Sequence, residues 1–114
     1  MITYIEAGEK AYQVNYTINS LCAYEDRFGK DIAAALSKMT VSDLRGALWA
    51  GLIDKQPEIT LEGTGEIMDD FISGGEKNLG DILNMCMEAL TNSGFFKRAG
   101  NKKNPATKNR KAKG

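Results

Sequence analysis

Residues 12–52 read YQVNYTINSLCAYEDRFGKDIAAALSKMTVSDLRGALWAGL, and the pattern of this stretch decides the fold. Tyr12, Val14 and Tyr16 alternate with Gln13, Asn15 and Thr17, the period-2 spacing of a half-buried strand. The period then lengthens. Ile18, Leu21, Tyr24 and Phe28 recur at helical spacing, and Asn19 or Ser20 is placed to cap the helix start, because a short side-chain oxygen accepts from the free backbone N–H groups there. Gly29 supplies the left-handed stop. Asp31 can cap a short helix over Ile32 to Lys38, with Ile32 and Leu36 on one face. Thr40 or Ser42 opens a third helix, in which Val41, Leu44, Leu48 and Leu52 form a stripe and Ala47 and Gly51 thin one side. Gln56-Pro57 marks its end.

Working outward, Ile2 to Ile5 is β-favouring although it alternates poorly. Ala7-Gly8-Glu9-Lys10 is a turn, so the first 16 residues read as a β-hairpin. A lone hairpin is marginal in water and must pack on helices. C-terminal to the quoted stretch, Thr60 starts a fourth helix with Ile67, Met68, Phe71 and Ile72 as its buried set. Gly63 and Gly65 each cost a helix about 1 kcal/mol relative to Ala, so an irregular first turn is expected. Ser73-Gly74-Gly75 breaks the chain. Asn78 opens a fifth helix with Leu79, Ile82, Leu83, Cys86, Met87 and Leu90 on one broad face, wide enough for the central helix of the domain. Asp81 suits the positive end of its dipole, and Asn92-Ser93-Gly94 stops it. The fold class is α+β: an N-terminal hairpin packed on about five helices.

Composition narrows the function. The chain has 114 residues, enough for one domain. No run of about 18 apolar residues occurs, so no membrane span is expected. The start MITYIEAGEK lacks the basic and apolar regions of a signal peptide, which points to the cytoplasm of the cell that makes it. There is no histidine, which removes the commonest general base. Cys22 and Cys86 lie far apart in apolar helical patterns and read as reduced core residues rather than a disulfide or metal ligands.

The net charge of zero conceals a split. From Lys97 onward there are eight basic residues and no acid, while the preceding 96 residues hold seven basic and all fifteen acidic residues. A body at −8 therefore precedes a tail at +8, and the domain boundary falls between residues 96 and 97. The tail, residues 97–114, lacks an apolar pattern and is expected to be disordered. Its Lys102, Lys103, Lys108, Arg110, Lys111 and Lys113 suit phosphates electrostatically. No aromatic residue is interleaved for base stacking, and the acidic body opposes nucleic acid, so no specific nucleic-acid recognition is expected.

Few residues offer chemistry. Glu25-Asp26 and Asp69-Asp70 are adjacent on helices, where side chains diverge by about 100° and cannot pinch one ion; they read as solvated faces. Gly63-Thr64-Gly65 and Gly74-Gly75 lack the spacing and the Lys-Ser/Thr pair of a phosphate-binding loop. Trp49 stands with Leu48 and Leu52 on a helix that is apolar on more than one side. It is either core or, as Trp often is, an anchor for a partner. Phe95 and Phe96, with Met85 and Met87 nearby, raise the same alternative. Leu48, Trp49, Leu52, Phe95 and Phe96 are thus the candidate partner-binding residues; no catalytic, cofactor or metal residue is assigned.

Four motifs in order resemble a known family. They are the aromatic-x-aliphatic-x-aromatic strand at Tyr12 to Tyr16, the helix Ile18 to Glu25, the Leu-Arg-x-Ala-Leu-Trp-Ala-Gly-Leu helix at Leu44 to Leu52, and the Thr-Leu-Glu helix start at Thr60 to Glu62. Together they resemble the tail assembly chaperones of long-tailed phages, in the branch that includes gene transfer agents, across about residues 2 to 96. The resemblance implies a non-enzymatic protein of the bacterial host cytoplasm that binds the tape measure protein and helps recruit tail tube protein, with no cofactor. Self-association is also open. It further implies that a longer, frameshifted form is sometimes made. Alternative readings are a structural tail or tail-tube component that stays in the virion, and a basic-tail nucleic-acid binder.

Overall fold

The computed structural model describes residues 2–38 and 40–95. The chain runs β1 (Thr3–Ala7), β2 (Lys10–Val14), α1 (Ile18–Phe28), α2 (Ile32–Lys38), α3 (Val41–Leu52), α4 (Leu61–Ile72) and α5 (Leu79–Ser93). The α+β expectation holds: one antiparallel hairpin packs on five helices. The expected tail, residues 97–114, lies outside the described residues.

The hairpin turns at Gly8-Glu9, with Ala7 opposite Lys10 and Thr3 opposite Val14. Gly8 has φ of 65°, a conformation a side chain would strain. β1 alternates cleanly in burial, with Thr3, Ile5 and Ala7 inward and Tyr4 and Glu6 outward. Its hydropathy alternates poorly because a threonine stands at an inward position and a tyrosine at an outward one. The Thr3 hydroxyl takes a hydrogen bond from Asn92 Nδ2 at 3.3 Å, tying the hairpin to the end of α5.

Past β2 the chain lies directly on α3. The Asn15 N–H donates to the Gly51 carbonyl at 2.7 Å, and the buried Tyr16 hydroxyl donates to the Ala47 carbonyl at 2.6 Å. Small residues make this approach possible. A Cβ on Gly51 would stand 2.7 Å from Val14 Cγ1 and 2.9 Å from the Tyr16 ring. The marginal hairpin is thereby anchored to a helix through both main chain and core side chains.

Three expectations about helix ends and first turns need correction, each for a local reason. α1 begins two or three residues early: its cap is Thr17, not Asn19 or Ser20. Thr17 Oγ1 accepts from the Ser20 N–H at 3.0 Å while Ser20 Oγ accepts from the Thr17 N–H at 2.8 Å, a reciprocal capping box. The first turn of α4 is regular despite its glycines. Thr60 Oγ1 accepts from the Gly63 N–H at 2.9 Å, and the fully buried Thr64 hydroxyl donates to the Thr60 carbonyl at 2.8 Å. α3 closes at Leu52, before Gln56-Pro57, and Val41 at its start is exposed. The remaining boundaries match. Asp31 Oδ1 accepts from the Ala34 N–H at the start of α2, Gly29 and Gly94 end α1 and α5 at φ of 72° and 91°, and Asn78 caps α5 in a box with Asp81.

The central helix is α3, not α5. The hairpin and the other four helices pack around α3. Nine of its twelve residues are buried. Gly46 faces the rings of Phe28 and Tyr24, with 3.1 Å from a built Cβ to Phe28 Cζ. Such a helix needs small residues to admit neighbours on all sides, so it shows a weaker stripe than α5, which keeps one face in water. Cys86 is buried as expected, whereas Cys22 is exposed on α1; both are free thiols.

Candidate partner-binding surface

α3 spends its apolar side chains on the core. Leu48 and Leu52 are fully buried and offer no face to a partner, while Trp49 is 8% exposed. The Trp49 ring meets Phe28 edge-on at 6.0 Å, and Phe28 in turn stacks tilted on Tyr24 at 4.7 Å. The Arg27 guanidinium lies 5.1 Å from the Trp49 ring centroid and covers its outer side. Arg27 is thus committed to an aromatic face as well as to the end of α1.

What remains open beside Trp49 is a groove of about 490 Å³. Ala23 and Arg27 of α1 form one wall, Trp49 and Ile53 another, and Ile59 and Leu61 the far side. Ile53, Ile59 and Leu61 are half-buried, packing on the core with one side and lining the groove with the other. Sequence reasoning missed them. Ile53 and Ile59 fall in the connection around Pro57, outside any helical or strand period; the one signal was an apolar residue on each side of a proline turn.

Two other hollows border the helices. Between α3 and α4 lies one of about 420 Å³ with mixed lining that includes Arg45, Glu62, Glu66 and Asp69. The Arg45 Nε is buried without a hydrogen-bond partner. Between α2 and α5 lies an apolar cleft of about 250 Å³, lined by Ala33, Leu36, Ser37, Met87 and Leu90. Met87 is 52% and Phe95 40% exposed, so the end of α5 does present apolar side chains. Phe96 and the tail residues Lys102, Lys103, Lys108, Arg110, Lys111 and Lys113 lie outside the described residues.

Four titratable groups among the described residues are shifted away from neutral pH. Burial pushes the Cys86 thiol up to about 11, with the neighbouring Tyr16 hydroxyl opposing. Burial, then the nearby Asp43 and Asp31 carboxylates, push Tyr24 up to about 12. Tyr16 is raised by burial. Each therefore stays protonated at neutral pH. Asp43 is held below the usual carboxylate range by hydrogen bonds from Lys30 (Nζ to Oδ1, 2.5 Å) and Thr40. That ion pair ties the end of α1 to the first turn of α3. Among the described residues no group of three or more His, Cys, Asp or Glu side chains could hold a metal ion. None of their helices is long and apolar enough to cross a membrane.

No protein-family model, no curated protein and no solved structure matches this chain. The family resemblance accordingly rests on the four sequence motifs.

Proposed function

We propose that this chain is a non-enzymatic tail assembly chaperone of a long-tailed phage or prophage, which holds the tape measure protein in the host cytoplasm while tail tube subunits are recruited. One observation carries the reading: three of the four motifs converge on one groove. Ala23 comes from the first helical motif, Trp49 from the tryptophan motif, and Thr60 and Leu61 from the Thr-Leu-Glu motif; all line the same hollow. A groove with an aromatic wall and aliphatic rims suits the apolar face of a helix laid into it. A tape measure protein is a long helical chain whose apolar faces need cover until the tube encloses them. Trp49 acts there as a fixed wall rather than a projecting anchor, and Ile53, Ile59 and Leu61 are the residues that a partner would touch.

The test is co-expression of the chain with the tape measure protein of the same phage, followed by co-purification. The wild type retains the tape measure protein, and Leu61→Lys loses most of it while remaining folded. Failure of the folded wild type to retain it would sink the proposal. Purified particles should lack the chain; its presence there would favour a structural tail component instead.

A further inference from the structure

The groove beside Trp49 is mostly apolar, with one cation at its wall. Among the described residues that line it, Arg27 alone is charged. We propose that Arg27 captures a carboxylate of the bound partner, so that the groove selects an amphipathic helix with an Asp or Glu flanking its apolar stripe. This rests on the reading of the groove as the seat of a helix and names the chemistry of that helix.

Three observations point to that occupant. First, Arg27 has no carboxylate of its own. The ion pairs among the described residues join Lys30 to Asp43 and Lys55 to Asp54. The sequence explains why Arg27 is left out. The residues three and four places before it in α1 are Tyr24 and Ala23, and the helix closes at Gly29, two residues before Asp31. Glu25 and Asp26 adjoin it in the chain, but side chains one or two places apart on a helix do not face each other. Second, the side chain is already held. Its guanidinium lies 5.1 Å from the Trp49 ring centroid, and Trp49 is braced edge-on by Phe28 at 6.0 Å. The ring face attracts the cation but offers no lone pair, so the N–H donors of the exposed Arg27 stay open to another acceptor. A guanidinium fork set on an aromatic face suits a carboxylate, which it meets through two parallel hydrogen bonds at little further cost in side-chain freedom. Third, the surrounding charge is complementary by exclusion. Residues 1–96 hold fifteen acids against seven bases, so this surface repels an acid-flanked helix in general, and an apolar groove walled by an unpaired cation is where such a helix is accepted. Ile53, Ile59 and Leu61 then take the apolar stripe, and Arg27 fixes its register.

Titrating helical fragments of the tape measure protein of the same phage against the full chain tests this. A fragment binds the wild type, Arg27→Gln weakens it about tenfold, the scale of one charged hydrogen-bonded pair, and Arg27→Lys weakens it less. Replacing the fragment's Asp and Glu residues one at a time by Asn and Gln finds one position whose loss matters to the wild type and not to Arg27→Gln, and a Lys at that position restores binding to Arg27→Glu. Added salt weakens the wild-type complex more than the Arg27→Gln complex. A folded Arg27→Gln protein that binds the fragment as tightly as wild type, or acid substitutions that cost the same in both backgrounds, would overturn the carboxylate capture while leaving the groove as a helix seat. A folded wild type that binds none of the fragments would remove the seat itself, and the capture with it.

Discussion

Replacing Gly51 by alanine tests how the hairpin is held. In an isolated helix the change is favourable by about 1 kcal/mol, since glycine is the more costly residue there. In this structure the new Cβ would stand 2.7 Å from Val14 Cγ1, 2.9 Å from the Tyr16 ring and 3.0 Å from its hydroxyl. Carbon atoms rest at about 3.5–4.0 Å, so the Asn15–Tyr16 segment must retreat by roughly 1 Å. That retreat strains the 2.7 Å bond from Asn15 N–H to the Gly51 carbonyl and the 2.6 Å bond from Tyr16 to Ala47. Overpacking a core costs about 1–3 kcal/mol, and leaving a buried hydroxyl unsatisfied costs about 1–3 kcal/mol more. Set against the helix gain, the net loss is about 1–5 kcal/mol. For a domain of this size each kcal/mol shifts the melting temperature by about 4–8 °C, so Gly51→Ala lowers it by roughly 4–40 °C. The internal control is Gly65→Ala in α4, where the nearest atom is Arg45 Cδ at 3.4 Å, an ordinary contact at a flexible side chain. That variant gains about 0.5–1 kcal/mol. Thermal and urea unfolding of both variants decide the matter. A Gly51→Ala protein at least as stable as wild type would refute this account of the hairpin's docking.

Other consequences concern capping and pH. Thr17→Ala removes one half of the capping box and costs about 1 kcal/mol in urea unfolding; an unchanged midpoint would contradict the assigned start of α1. On the alkaline side, Cys86 has a folded value of about 11 against an ordinary 9.0. The unfolded chain releases this proton first, so stability falls as pH rises from 9 toward 11. Two pH units correspond to roughly 3 kcal/mol; Cys86→Ala, though less stable at neutral pH, should lose much of that slope. On the acid side, Asp43 is lowered by Lys30, so the pair's contribution is present above the usual carboxylate range and is lost as pH falls through the lowered value. Lys30→Met is therefore less stable than wild type at neutral pH and converges with it in acid; parallel pH curves would show that the ion pair contributes nothing.

Much of the fold was legible because its signals are local. Gly8, Gly29 and Gly94 mark reversals that other residues rarely make, and Asp31, Thr40, Thr60 and Asn78 each precede a helical period. Thr17 was missed because it completes the Tyr12–Val14–Tyr16 alternation and so looked like strand; Ser20, read as a cap, is the reciprocal partner of that cap. The central place of α3 was hidden for a different reason. Gly46, Ala47, Ala50 and Gly51 contribute little hydropathy, yet they let neighbours approach from every side. The candidate site was legible only in part. Trp49 does border a groove, but Leu48 and Leu52 face inward, and the groove's aliphatic rim comes from Ile53, Ile59 and Leu61, whose positions depend on how the connection between α3 and α4 folds back.

Affinity for the tape measure protein, with and without the groove's rim, bears most directly on the proposed function. Helical fragments of that protein, titrated against the purified chain, should bind the wild type, and Ile53→Lys should weaken binding about tenfold or more at an unchanged unfolding midpoint. A folded wild type that binds none of the fragments, or an Ile53→Lys protein that binds them equally well, would contradict it.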